Sequence, residues 1–294
     1  KSNYKAGEIL KLPDLAWTLK QLAEFGPDAF YKGEIAKKIV KEMERNQGLI
    51  SAEDLKNYKA VERSPVEGTY KNFKIVSMPP ASSGGIHLIQ MLNMLEEFPI
   101  KEMGFGSADS IHILAEVMKR AYADRSKHLG DMDFYDVPFS LMSKDYSSSL
   151  NKTISIKSRT ASKDVFAGDP YPYESPDTTH FSVMDQYGNA VSNTYTLNFS
   201  YGSGIMIPGT GMLMNNEMDD FSSKPGVPNG YGLLGSEANS IQAHKRPLSS
   251  MTPTIIFKDN NPYLVLGSPG GSRIITTVLQ VALNVMEHDM NVAQ

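Results

Sequence analysis

Apolar positions recur with two different periods along the chain, and the change of period divides it. In the first half the spacing is helical. Asp14 precedes Leu15, Leu19 and Leu22, an i, i+4, i+7 stripe that stops at Gly26-Pro27. Ile35, Ile39 and Met43 make a second stripe, ended by Asn46-Gln47-Gly48, and Ser51-Ala52-Glu53-Asp54 resembles a capping box. A short strand is predicted over Phe73 to Met78, stopped by Pro79-Pro80. Ser82-Ser83-Gly84-Gly85 then leads into a helix around Ile86 to Leu95. A longer helix is predicted from Ser107 to His128, with Ile111, Leu114, Met118 and Tyr122 on one face. From about Ser140 to Ser175 the chain is rich in Ser, Lys, Asp and Pro and no apolar period survives, which predicts an exposed connection.

After that stretch the period falls to two. Phe181, Val183, Val191, Tyr195 and Leu197 sit in β-rich segments. Glycine-rich turns separate further strands around Gly211 to Met214, Thr254 to Phe257 and Tyr263 to Leu266. A closing helix starts near Ser272 and carries Val278, Val281 and Val285. Helices, then strands, then a helix predict a layered α/β or α+β arrangement rather than a doubly wound sheet.

Bulk composition narrows the function classes. The chain has 294 residues, 40% hydrophobic and 21% charged, ordinary for a globular protein of one large or two smaller domains. Net charge is −4 with a pI near 5.9 and no basic stripe, which argues against nucleic acid as partner. No apolar run reaches membrane-spanning length. With no cysteine, disulfides, thiolate catalysis and cysteine zinc sites are excluded. His87, His112, His128, His180, His244 and His288 show no HExxH-type spacing, so no metal and no cofactor are expected. The chain opens Lys-Ser-Asn without a methionine or signal peptide and ends without a closing turn signal. It therefore reads as an excerpt of a longer protein.

The candidate chemistry lies where the period changes. Asp185-Gln186-Tyr187-Gly188-Asn189 is a turn between two alternating segments, which predicts a hairpin. Folding it there puts Thr178 across from Thr196 or Asn198, so that these three share one polar face. A threonine hydroxyl needs a base to become a nucleophile. Cleavage before Thr178 would free an α-amine beside the hydroxyl, and that amine can act as the base. The hairpin alone favours the simpler reading, that Thr178 and Thr179 merely open an edge strand, for which threonine has high propensity.

Thr178-Thr179-His180-Phe181-Ser182-Val183, Asn215-Asn216-Glu217-Met218-Asp219-Asp220-Phe221, Lys245-Arg246-Pro247-Leu248-Ser249-Ser250-Met251 and Gly267-Ser268-Pro269-Gly270-Gly271-Ser272-Arg273 resemble the small subunit of the γ-glutamyltranspeptidase (glutathione hydrolase) family, in its bacterial form. Met78-Pro79-Pro80-Ala81-Ser82-Ser83-Gly84-Gly85 and Ala121-Tyr122-Ala123-Asp124-Arg125-Ser126 resemble its large subunit. The resemblance implies an α+β N-terminal nucleophile hydrolase fold, a four-layer αββα sandwich. It implies self-cleavage at Asp177–Thr178, with residues 1–177 the end of the large subunit and 178–294 the start of the small one, held together as a heterodimer.

It implies further that Thr178 attacks a γ-glutamyl amide such as glutathione and passes the acyl group to water or to an acceptor amino acid or peptide. Thr196 would position the nucleophile. Asn198, Glu217 and Asp220 would hold the substrate ammonium, Ser249 and Ser250 its α-carboxylate. Gly270 and Gly271 would form the oxyanion hole, and Tyr231 would cover the site from a lid loop running from Pro225 to Gly235. A periplasmic or secreted location is implied as well.

The family's main carboxylate-binding arginine is expected upstream of this chain, and no arginine here is given that role. Ser82-Ser83-Gly84-Gly85 lacks nucleophile-elbow spacing and is read as a helix N-terminus. Competing readings are a cephalosporin or glutaryl acylase, a poly-γ-glutamate hydrolase, or a non-catalytic homologue. The ammonium ligands argue against the acylase, because glutaryl substrates lack the amine.

Overall fold

The computed structural model describes residues 4–165 and 178–294, Thr178 by its backbone alone. The chain forms two compact units, Lys1–Glu62 with Tyr201–Asn215, and Arg63–Ser200 with Asn216–Gln294. Each unit draws on both sides of residue 177.

The first unit is helical. It contains α1 (Pro13–Phe25), α2 (Pro27–Tyr31), α3 (Glu34–Arg45) and α4 (Ala52–Asn57), with two short paired strands, Met206–Ile207 and Met212–Leu213. Ile35, Ile39 and Met43 are buried on one face of α3, as their spacing predicts, and pack with Ala29, Leu55 and Ile207. The capping box at α4 is present: Asp54 N donates to Ser51 Oγ at 3.2 Å, and Ser51 N donates to Asp54 Oδ2 at 2.8 Å. The stripe on α1 differs from expectation. Leu19 is exposed, while Thr18 is buried because its hydroxyl donates to Thr210 O at 2.8 Å. A satisfied hydroxyl costs little to bury.

The second unit is built on a four-stranded antiparallel sheet in the order β1 (Val66–Tyr70), β2 (Phe73–Ser77), β5 (Thr254–Lys258), β6 (Asn261–Leu266). Asp259 and Asn260, both at positive φ, make the two-residue turn between β5 and β6. One face of this sheet carries Phe73, Ile75, Ile256, Leu264 and Leu266 against α5 (Gly84–Leu95), every residue of which is buried. Contact is close at Gly68, where a Cβ would lie 2.5 Å from Ile89 Cγ2. Around α5 pack α6 (Ala108–His128), α7 (Lys144–Asn151) and α8 (Ile274–Met286).

Two expectations fail here. The most buried stripe of α6 runs Ile113, Val117, Ala121, Arg125, and Ile111 is exposed. Glu116 and Arg120 enter the interior as a pair: Arg120 Nη1 donates to Glu116 Oε2 at 2.8 Å, and both are buried. The stretch read as an exposed connection contains α7, which is packed on α5. Ser143 caps it, accepting from Tyr146 N at 3.1 Å, and Asn151 Nδ2 ties it to Met94 O at 2.9 Å. Tyr146 and Leu150 pack against the core, and the side-chain hydrogen bonds add to these two apolar contacts. The rest of that stretch, from 166 to 175, lies outside the described residues.

The hairpin β3 (Thr178–Met184) and β4 (Ala190–Thr196) covers the other face of the sheet. Its register pairs Thr178 with Thr196, within the expected range. Asp185 closes the turn, its Oδ1 accepting from Tyr187 N at 2.8 Å and Asn189 N at 2.9 Å. The hairpin turns its polar side inward. Ser182 Oγ donates to Val265 O at 3.1 Å. Ser192 Oγ donates to Leu266 O at 2.9 Å and accepts from Thr254 N at 3.0 Å. Phe181, Val183, Val191 and Tyr195, 45–57% exposed, face away from the sheet. Helix, sheet and hairpin are thus three stacked layers of the expected α+β sandwich.

Candidate active site

Four chain segments converge where the hairpin starts. The first is β4 and the residues after it. Thr196 Oγ1 accepts from Asn198 N at 2.9 Å, fixing a turn in which Asn198 takes φ 74°. Asn198 is buried, and its Nδ2 donates to Asn216 O at 3.2 Å. That bond fixes the amide orientation and leaves Oδ1 as an acceptor with no donor among the described residues.

The second segment is the 3-10 turn Glu217–Asp220. Glu217 and Asp220 lie three residues apart and share a hydrogen bond between their carboxyl groups. Burial pushes both carboxyl pKa values up, and the neighbouring negative charge of Asp220 pushes Glu217 further. Arg125 opposes the rise at Asp220.

The third is the Ser249-Ser250 shelf, which is knitted to the N-terminus of α5. Ser83 N and Ser83 Oγ both donate to Ser249 O at 2.9 Å, and Ser249 N donates to Ala81 O at 2.9 Å. A Cβ on Gly84 would lie 2.4 Å from Thr252 Oγ1, so only glycine admits the shelf this closely. Ser82-Ser83-Gly84-Gly85 is therefore a helix start, as read, and also the floor beneath the shelf.

The fourth is the glycine turn entering α8. Gly270 and Gly271 have φ of 129° and 51°. Neither N–H donates a hydrogen bond among the described residues. A Cβ on Gly271 would lie 2.5 Å from Tyr231 Cε1. The Tyr231 ring is seated there, its edge on Phe199 at 5.4 Å and its hydroxyl donating to Asn198 O. Asn229 Oδ1 organises the loop below it, accepting from Tyr231 N and Leu233 N at 3.0 Å each, and Asp219 Oδ2 accepts from Gly230 N at 2.9 Å.

Thr196, Asn198, Asp220, Tyr231, Ser249, Ser250 and Gly271 line one cleft with Leu233, Met251 and Ile274. Gly270 and Glu217 flank it in the chain, and Thr178 opens the strand paired to Thr196. The arrangement offers acceptors on one wall, hydroxyls on another, and two free N–H groups at a turn. No group of three metal-ligating side chains occurs among the described residues. Sequence reasoning missed Arg125, Ser83 and Asn229 as parts of this construction. Arg125 and Ser83 were visible only as members of longer strings.

The profile of the γ-glutamyltranspeptidase family matches residues 1–294. The chain belongs to this family. Among γ-glutamyltranspeptidase relatives, it is 55% identical over 291 residues to the glutathione hydrolase proenzyme of Escherichia coli K12, covering 99% of this chain and 50% of that protein. It is 47% identical to the glutathione hydrolase proenzyme of Pseudomonas sp. A14, covering 99% of this chain and 51% of that protein. The chain thus spans about half the length of the curated relatives it matches. The crystal structure of cephalosporin acylase from Bacillus halodurans superposes with a TM-score of 0.80 at 25% identity, over 98% of this chain and 49% of that one. The α+β fold is that of the N-terminal nucleophile hydrolases, as the resemblance implied.

Proposed function

We propose that the protein is a γ-glutamyl acyltransferase and glutathione hydrolase whose nucleophile is Thr178, released by self-cleavage after Asp177. The observation that carries this reading is the convergence of the acceptor wall, the serine shelf and the glycine turn on the paired threonines at the hairpin's open end. In this reading the Thr178 amine takes the hydroxyl proton, and the oxygen attacks the γ-carbonyl carbon. The developing oxyanion meets the Gly270 and Gly271 N–H groups; one such donor is typically worth about 10²–10³ in rate. Collapse of the tetrahedral intermediate expels the amine, which leaves with a proton, and a γ-glutamyl ester forms. Water or an acceptor amine then repeats the attack on the ester.

Asn198 Oδ1, Glu217 and Asp220 hold the substrate ammonium, and Ser249 and Ser250 its carboxylate. Tyr231 closes the site. Residues 1–177 and 178–294 become parts of two subunits of a heterodimer, in a periplasmic or secreted protein. No helix among the described residues is long and apolar enough to cross a membrane.

Intact mass after incubation near neutral pH, followed by turnover of a γ-glutamyl anilide, tests the proposal. Two fragments cut between Asp177 and Thr178 are expected, with Thr178→Ala losing both cleavage and turnover. Wild-type activity in Thr178→Ala would refute the nucleophile, and faster hydrolysis of a glutaryl than of a γ-glutamyl anilide would favour the acylase reading.

A further inference from the structure

Arg125 is a buried cation whose hydrogen-bond partners are both neutral. It sits on α6 with 4% of its surface exposed. Its Nε donates to Ser83 Oγ at 2.9 Å and its Nη2 to Ser250 Oγ at 3.1 Å. No carboxylate is within ion-pair distance of it among the described residues. The contrast with Arg120, one turn earlier on the same helix, is direct: that guanidinium is neutralised by Glu116 at 2.8 Å. Burying a guanidinium with no carboxylate in contact is costly.

The hydrogen bonds define what the charge can do. Ser83 Oγ accepts from Arg125 and donates to Ser249 O, so its capacity is spent within the fold. Ser250 Oγ also accepts from Arg125, but its own proton has no acceptor among the described residues, and Ser250 lines the cleft. A hydroxyl that accepts from a cation is polarised and becomes a stronger donor. The titratable groups nearest the guanidinium do not cancel its charge. His87 is fully buried and held neutral by desolvation, its pKa lowered to about 3, and the Tyr122 hydroxyl is pushed up to about 12. Asp220 acts on Arg125 only through space, from the acidic wall of the cleft. The guanidinium thus stands behind Ser250, and Asp220 lines the same cleft as Ser250.

We propose that Arg125 is a positioning residue for ligand charge: through Ser250 Oγ it orients a hydroxyl proton at the α-carboxylate of a bound α-amino acid and supplies the field that favours it. The proposal deepens the γ-glutamyl reading and rests on its assignment of Ser250. It is separate from the direct arginine ligand expected upstream. The ligand class that fits the Ser250 hydroxyl together with the Asp220 carboxyl is a zwitterionic α-amino acid head group.

The test compares binding of L-glutamate with that of its uncharged α-amide, by calorimetry, to wild type, Arg125→Gln, Arg125→Lys and Ser250→Ala. Wild type should prefer glutamate. Arg125→Gln should weaken glutamate about tenfold, as expected for one charge-assisted hydrogen bond, and leave the α-amide within about twofold. Arg125→Lys should recover part of the preference, and Ser250→Ala should lose it. Equal weakening of both ligands in Arg125→Gln, an unchanged preference in that variant or in Ser250→Ala, or no glutamate binding by wild type would overturn the proposal. Should the Arg125 variants not fold, Ser250→Ala and the wild-type preference decide it. Turnover of a γ-glutamyl anilide on the same wild-type sample separates the two readings. Discrimination without turnover sinks the hydrolase and leaves Arg125 in place; turnover with an unchanged preference does the reverse.

Discussion

The two faces of the four-stranded sheet are joined to their neighbours by different forces. Toward α5 the contact is apolar, from Ile75, Ile256, Leu264 and Leu266 to Ile86 and Ile89. Toward the hairpin it is made by hydroxyls reaching backbone, Ser182 to Val265 and Ser192 to Leu266 and Thr254. Apolar burial is strong and non-directional, about 25 cal/mol per Å², and tolerates small slips. Hydrogen bonds contribute less, about 1 kcal/mol each net, but they fix distance and angle. The first face holds the unit folded. The second sets where Thr178 and Thr196 stand relative to β6, which runs on into the Gly270-Gly271 turn.

Substitutions on the two faces should therefore fail differently. Leu92→Ala, at a fully buried position of α5, should cost about 2–5 kcal/mol of stability while the folded fraction keeps its kcat/KM; denaturant unfolding alongside active-site titration checks this. A loss of kcat/KM per active site would break the division. Gly267→Ala should invert the pattern. A Cβ there would lie 2.2 Å from His180 Nδ1, and that ring is held on both sides by Thr194 Oγ1 at 2.8 Å and Ser182 Oγ at 2.9 Å. The hairpin must shift, and turnover should fall about 10²-fold, as for a displacement near 1 Å, with a melting temperature close to wild type.

Glu217→Gln probes the acidic wall. Glu217's folded pKa is raised above its unfolded value, so the stability it contributes is present at low pH and lost as pH rises through the folded pKa. The variant cannot lose that stability. It should match wild type near pH 4 and exceed it above the raised pKa, read as melting temperature against pH. A variant less stable than wild type at high pH would overturn the raised pKa of Glu217. Ser192→Ala should remove two hydrogen bonds, at about 1 kcal/mol each. Its mark should be a drop in kcat at unchanged KM if the hairpin's placement matters to the chemistry.

Legibility in the sequence follows the same division. The apolar stripe on α3, the Ser51 capping box and the hairpin register could be read because each is local and rests on spacing alone. Which side of the hairpin faces inward could not, since alternation marks two faces without saying which is covered. The true inner stripe of α6 was hidden because Glu116, Arg120 and Arg125 read as surface residues until their partners are known. Helix α7 was hidden because only Tyr146 and Leu150 carry its apolar contacts, too few to show a period, while Ser143, Ser147 and Asn151 hold it by hydrogen bonds. The site's residue types were legible through resemblance. The cradle from Ser83 beneath Ser249 was not, because its partners lie 166 residues apart.

That order of strands has a mechanical consequence. β1 and β2 precede residue 177, β5 and β6 follow it, and the β2–β5 ladder from Phe73–Lys258 to Ser77–Thr254 crosses the middle of the sheet. Opening the backbone at 177–178 would remove a covalent link but leave the seam zipped, with α5 and α8 still packed across it. The two pieces would behave like the halves of a split protein already reassembled. They should run as two bands in denaturing gels and as one particle in native ones, and separate only when the sheet itself melts.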